Sequence, residues 1–251
     1  MTAELPPWCR LVRADNPGLM TLDGTNTWVI STSAGNVVVD PGPLLEEHLE
    51  AVATLGPVAV TLLTHGHPDH SEASGRFHDI TRAPVLARDP ALCVDGDPLD
   101  VDGTALDVPG LDLRVLHTPG HSADSVCFTV RVGEQRAVLT GDTILGRGTT
   151  VVAYPDGRLG PYLDSLTRLR ELRGVLLLPG HGPVRPDTAA LAEQYLAHRA
   201  ERLAQVRVAV AAGARTAREV VEVVYADVDR SLWPAAELSV RAQLEYLGEH
   251  D

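Results

Sequence analysis

Thr64-His65-Gly66-His67-Pro68-Asp69-His70 places three imidazoles and one carboxylate within six positions. Neutral imidazole and carboxylate are natural ligands of zinc and similar first-row cations. Burying four such groups with nothing to bind would cost on the order of several kcal/mol of unsatisfied polar surface; the plain alternative is a polar surface turn. Three later turns carry the same residue types: His121 in Pro119-Gly120-His121-Ser122, Asp142 in Gly141-Asp142-Thr143, and His181 in Gly180-His181-Gly182. One zinc takes about four ligands. Seven donors in one pocket suit two cations roughly 3.5–4 Å apart. His117, four positions before His121, reads as a structural or supporting residue. His48, His78, His198 and His250 read as surface or helix-face residues.

Each cluster follows an apolar run that must position it. Val58 to Leu63 is short, β-branched and apolar, a buried strand, and Gly66 and Pro68 then predict a loop at its end. Thr27 to Ile30 and Val37 to Val39 predict a hairpin through Ser33-Ala34-Gly35-Asn36, closed by Asp40-Pro41-Gly42-Pro43. Leu44 to Leu55 has helical spacing, and a short helix is expected from Ser71 to His78. Arg88 to Gly103 reads as surface loop. Strands are expected near Thr104 to Val108, Leu111 to Leu116, Ser125 to Val130 and Ala137 to Thr140. A helix opens at Pro161, and Val175 to Leu178 forms another strand. In layered α/β proteins such strand ends gather at one edge, where ligands bind. The loop Gly148-Thr149-Thr150 is a candidate substrate-binding segment, through backbone N–H donors.

From Asp187 the pattern is helical. One helix is expected from Asp187 to Ala212, stopped by Gly213. A second is opened by the capping box Thr216-Ala217-Arg218-Glu219, and a last runs from Ala235 to Glu249. This divides the chain into a catalytic domain (1–186) and a small helical, winged-helix-like domain (187–251), read as a lid or substrate-shaping unit. From Leu196 to Asp251 there are seven Arg against nine Asp plus Glu. Sequence-specific DNA binding is therefore not expected.

The net charge of −13 argues against a chain that lives on phosphate contacts. All 21 basic residues are Arg. Cys9, Cys93 and Cys127 form neither a disulfide framework nor a CxxC pair. No run reaches the 18 or so apolar residues of a membrane span, and the first residues lack a signal layout, so a cytoplasmic location with no membrane partner is expected. The oligomeric state is not legible.

Taken together, His65-x-His67-x-Asp69-His70, His121, Asp142 and His181, in that order, resemble the metallo-β-lactamase fold superfamily. Leu22-Asp23-Gly24-Thr25-Asn26-Thr27, Gly141 to Gly146 and the helical tail look like its β-lactamase-like protein 2 group, whose named members include an endoribonuclease. The resemblance implies an α/β (α+β) αββα sandwich of two mixed β-sheets with a C-terminal all-helical domain. It implies a first metal on His65, His67 and His121, a second on Asp69, His70 and His181, and Asp142 bridging both. The cofactor would be two Zn2+, with Mn2+ or Fe as alternatives. A metal-bridging hydroxide, oriented by the catalytic Asp69, would attack a phosphodiester or an acyl carbon.

Ligands set the reaction class but not the substrate. The first expectation is a binuclear metal-dependent hydrolase of a phosphodiester (RNA-type) or acyl substrate, foremost a phosphodiesterase acting on RNA, with a small molecule or short single-stranded RNA as its partner. The alternative is a thioester hydrolase of the hydroxyacylglutathione-hydrolase type. A β-lactamase fits less well, since those enzymes carry Cys or Ser where Asp142 stands. An iron oxygenase and a non-enzymatic binding module complete the range.

Overall fold

The computed structural model describes residues 4–99 and 102–248. Glu249 and His250, expected to end the last helix and to lie at the surface, fall outside them. The first sheet comprises β1 (Cys9–Arg13), β2 (Asn26–Thr32), β3 (Gly35–Val39), β4 (Val58–Leu62) and β5 (Val85–Leu86), side by side in that order. β1 to β3 pair antiparallel, while β4 and β5 add parallel. The second comprises β6 (Ala105–Val108), β7 (Leu111–His117), β8 (Val126–Val132), β9 (Gln135–Gly141) and β10 (Leu176–Pro179), antiparallel except for parallel β9 and β10. The helices are α1 (Glu46–Ala53), α2 (Pro68–Ser71), α3 (Ser74–Thr81), α4 (Leu159–Leu169), α5 (Thr188–Ala211), α6 (Ala217–Val224) and α7 (Trp233–Tyr246).

Alternation along the strands sorts the side chains into layers. Trp28, Ile30, Val37, Val39 and Leu62 of the first sheet meet Leu113, Val115, Phe128, Val130 and Leu139 of the second in one core. Between these residues, Val29 and Val38 face outward onto Leu49, Val52 and Phe77. On the far side Cys127, Val138 and Leu177 face Tyr162, Leu166, Leu191 and Tyr195. The result is the expected αββα sandwich of two mixed sheets. The end of α5 packs with α6 and α7 around Val206, Val220, Trp233 and Val240. No helix among the described residues is long and apolar enough to cross a membrane.

Several local expectations change. The helix expected from Leu44 to Leu55 is shorter, starting at Glu46 after an extended Leu45 and ending at Ala53. Pro68 does not exclude a helix: it sits at the first position of α2, where a missing N–H is harmless. Ser71 to His78 is thus split between α2 and α3. Arg88 to Gly103 is not all surface, since Leu99 is buried in the inter-sheet core. α4 begins at Leu159, two residues before Pro161. α7 begins at Trp233, with Pro234 in its first turn. Asp187 caps α5 by accepting from the backbone of Ala189 and Ala190, and the Thr216–Glu219 capping box opens α6. His48 faces inward and is buried, its Nε2 2.9 Å from Thr27 Oγ1.

The loop after β7 is pinned at Gly120, whose φ of +135° lies in the region that favours glycine. A Cβ there would lie 2.3 Å from the Cα of Tyr162, which is held in α4. Gly120→Ala is expected to cost at least about 1–3 kcal/mol, seen as a lower urea midpoint with an unchanged m-value, and to displace His121 beside it.

Candidate metal centre

Four strand ends, drawn from both sheets, deliver seven side chains to one edge of the sandwich. β4 leads into Thr64 to His70; β7, β9 and β10 lead to His121, Asp142 and His181. His67 Nδ1 lies 3.0 Å from His65 Nε2 and 2.9 Å from His121 Nε2. His181 Nε2 lies 3.2 Å from His70 Nε2 and 3.1 Å from Asp69 Oδ2. Asp142 stands between the two groups. Its Oδ1 is 3.4 Å from His181 Nε2 and 3.5 Å from His70 Nε2, and its Oδ2 is 3.8 Å from His121 Nε2. All seven predicted positions therefore converge. Among the described residues three sets of donors could each hold a cation, with ligand atoms within 4.8 Å of one another: His65/His67/His121, His65/His70/Asp142 and Asp69/His70/His181.

The donor set fits a cation for two reasons. One Nδ1 cannot donate to two Nε2 atoms at once, yet His67 Nδ1 faces a pair of them. Bonds of 2.0–2.1 Å to a tetrahedral zinc would themselves put neighbouring nitrogens about 3.3 Å apart. Secondly, Asp142 Oδ1 is buried with no hydrogen-bond partner, which is costly for a carboxylate unless a positive charge meets it.

The electrostatics of the donor set by itself point the same way. Burial would lower the His70 imidazole, but the Asp40 and Asp142 carboxylates outweigh it and hold its pKa well above the usual value. His181 is opposed by burial as well, yet Asp142 and Asp69 push it up to about 9. Burial would raise Asp142, but His70 and His181 keep it well below the usual carboxylate range. Burial and the neighbouring imidazoles of His70 and His121 drive His65 down.

The outer ring atoms are held as well. His70 Nδ1 lies 2.9 Å from Asp40 Oδ2, which also accepts from Thr64 Oγ1, while Asp40 Oδ1 accepts from the Thr64 backbone N–H. His121 Nδ1 donates to the Val151 carbonyl at 2.8 Å. Thr64 Oγ1 lies 3.0 Å from His65 Nδ1. The Leu22 to Thr27 run proves to be a bracket for the site. The Gly24 carbonyl faces His181 Nδ1 at 3.3 Å, Thr25 Oγ1 donates to Asp69, and Asn26 Nδ2 donates to the carbonyls of Pro179 and Gly182. Gly180 is obligatory here, because a Cβ would lie 2.6 Å from Asp142 Oδ1.

Asp40 is the residue that sequence reasoning missed. It lies buried at the end of β3 with φ of 55°, in a turn read only as punctuation. Its signal was the one that found the others, a strand ending in Asp or His beside Gly or Pro. His117 belongs to none of the donor sets; its backbone N–H donates to Asp102. Gly148, Thr149 and Thr150 line a cleft that also reaches His121 and Asp142, with Leu19, Met20 and Leu22 along its lip. Thr150 itself is buried, its hydroxyl donating to the Asp142 carbonyl. Arg147 and Asp23 form an ion pair at the exposed rim, at 2.6 Å.

The model of the metallo-beta-lactamase superfamily matches residues 20–181, and that of the beta-lactamase associated winged helix domain matches residues 216–251. A beta-lactamase-like protein 2 homolog of Caenorhabditis elegans is 33% identical over 245 residues, covering 92% of this chain and 81% of the relative. An atrochrysone carboxyl ACP thioesterase of Aspergillus fumigatus is 33% identical over 247 residues, covering 88% and 74%. A metallo-beta-lactamase family protein from Thermus thermophilus superposes with a TM-score of 0.80 at 26% identity, over 98% of this chain and 95% of that one.

Asp40→Asn removes the anionic acceptor of His70 Nδ1 and is expected to weaken zinc binding about 10–100-fold, read by competition with a chromogenic chelator.

Proposed function

Since this chain belongs to the metallo-β-lactamase superfamily, we propose that it is a binuclear metal-dependent hydrolase of carboxylic acyl substrates, with a thioester of an apolar acyl group as the leading class. The observation that carries the binuclear reading is Asp142, whose two oxygens face different donor groups. His65, His67 and His121 would hold one cation, and Asp69, His70 and His181 the other. When bound, such a pair activates water near neutral pH, polarises the target oxygen and neutralises developing charge. Zinc suits the imidazole and carboxylate donors; manganese and iron suit them also.

The protein's own residues do the rest. Asp69 has its Oδ2 fixed by Thr25 and His181. It is positioned to orient the attacking water and to take its proton. Asp40, Thr64 and the Val151 carbonyl keep the imidazoles turned toward the centre. Leu19 and Met20 are 64% and 53% exposed on the cleft lip. Large apolar side chains left in water beside a reactive centre gain by covering an apolar acyl group. Similarity to an ACP thioesterase supports that substrate class. The backbone of Gly148 and Thr149 would face the carbonyl end.

A second reading, hydrolysis of an RNA phosphodiester, draws on the β-lactamase-like protein 2 resemblance and on the winged-helix match of the tail. Against it, Arg218 in that tail is engaged by Glu222 and Glu237, and the chain as a whole is acidic. Short acyl thioesters, a bis-phosphodiester, single-stranded RNA and a cephalosporin, each offered to zinc-, manganese- and iron-loaded protein, separate these readings. Turnover of RNA alone would replace the first by the second.

Asp142→Ala and His121→Ala are expected to remove turnover while the far-ultraviolet circular dichroism stays folded, since both ligands lie at strand ends outside the hydrophobic core. The double change Leu19→Ser, Met20→Ser is expected to raise KM for a long-chain acyl thioester about tenfold and to leave that of an acetyl thioester unchanged, by steady-state kinetics.

A further inference from the structure

Arg199 lies in the middle of α5 and is 5% exposed. Among the described residues no carboxylate lies within ion-pairing distance of it, and its Nε has no hydrogen-bond partner. Its guanidinium donates to the Thr150 carbonyl and sits 5.1 Å from the centroid of the Tyr162 ring. A buried cation compensated by one carbonyl and by the ring and hydroxyl of one tyrosine, with no carboxylate, is an expensive choice, where an apolar side chain of similar size would pack at lower cost. The hydrogen bond it makes must therefore matter more than the burial it achieves.

That bond fixes the peptide joining Thr150 to Val151. The next peptide, joining Val151 to Val152, has its carbonyl on His121 Nδ1 and its N–H on Ser239 Oγ of α7, at 3.4 Å. Thr150 Oγ1 anchors the same segment to the Asp142 carbonyl. One peptide unit thus links a helix of the C-terminal unit to His121, and Arg199 clamps the unit before it. Each bond in such a chain polarises the next. The helical tail, expected to act as a lid or substrate-shaping unit, also holds the Thr150 to Val152 segment beside the site.

We propose that Arg199 is a positioning residue that, with Ser239, holds the Val151 carbonyl against His121 Nδ1 and so fixes the tautomer and direction of that imidazole from the helical unit. The proposal rests on the reading of His121 as a cation ligand. An imidazole signal taken without cation or substrate tests the clamp apart from that reading.

In the full chain freed of cation, long-range 1H–15N spectra of the imidazoles should show His121 protonated at Nδ1 with a slowly exchanging N–H. Arg199→Met should lose that slow exchange and bind Zn2+ about 10–100-fold more weakly in chelator competition. Arg199→Lys, which keeps a donor and a charge, should recover part of both. Val206→Ala, a truncation in the core of the same helix, should lower the unfolding midpoint and move neither readout. An unchanged His121 signal in Arg199→Met overturns the proposal, as does an equal loss in Val206→Ala. If Arg199→Met does not fold, Ser239→Ala takes its place: a smaller loss of the same signal supports the clamp, and an unaltered signal overturns it.

Discussion

Lone pairs on imidazole nitrogens and carboxylate oxygens repel when they meet across about 3 Å, and a buried site offers little water to screen them. This chain brings seven such groups together and leaves an oxygen of Asp142 buried without a hydrogen-bond donor. Only a rigid frame can hold that arrangement. The frame is the sandwich, whose strands end at a common edge and whose neighbouring groups hold the outer ring atoms of His65, His70, His121 and His181. Cations seated among the seven groups would relieve that repulsion.

The support for the centre comes from unequal sources. Asp40 and Thr64 act within the first sheet, over a span of 24 residues. The bracket from Gly24 to Asn26 reaches across to β10 and spans more than 150. α4 and α5 brace the loop after Asp142: Tyr162 donates to the Thr143 carbonyl and Tyr195 accepts from the Leu145 N–H. The cleft therefore combines a floor held from many directions with an exposed apolar lip, Leu19 and Met20.

Much of this was legible in the residues. Short continuous apolar runs followed by Gly- or Pro-bearing turns that carry His or Asp located all seven positions, because run length and turn chemistry are local properties. Asp187, Thr216 and Glu219 marked helix starts for the same reason. Asp40 was not recognised, since Asp-Pro-Gly punctuates turns whether or not its carboxylate is turned inward. β5, two residues long, is defined by its pairing with Thr61 and Leu62 rather than by a pattern of its own. Arg199 and Tyr195 lie four apart on α5 and read as one polar and one aromatic position. Only tertiary packing shows that both turn toward residues about 50 positions earlier.

The centre draws its donors from opposite halves of the sandwich. His65, His67, Asp69 and His70 follow the first sheet, while His121, Asp142 and His181 follow the second. An ion seated there would be a rivet between the two layers, and the free energy of seating it would count toward keeping the halves together. Conformational stability would then rise with the logarithm of free ion once its concentration exceeds the dissociation constant. In a cell, metal scarcity would reach this protein twice over, as lost catalysis and as a shorter lifetime against proteases.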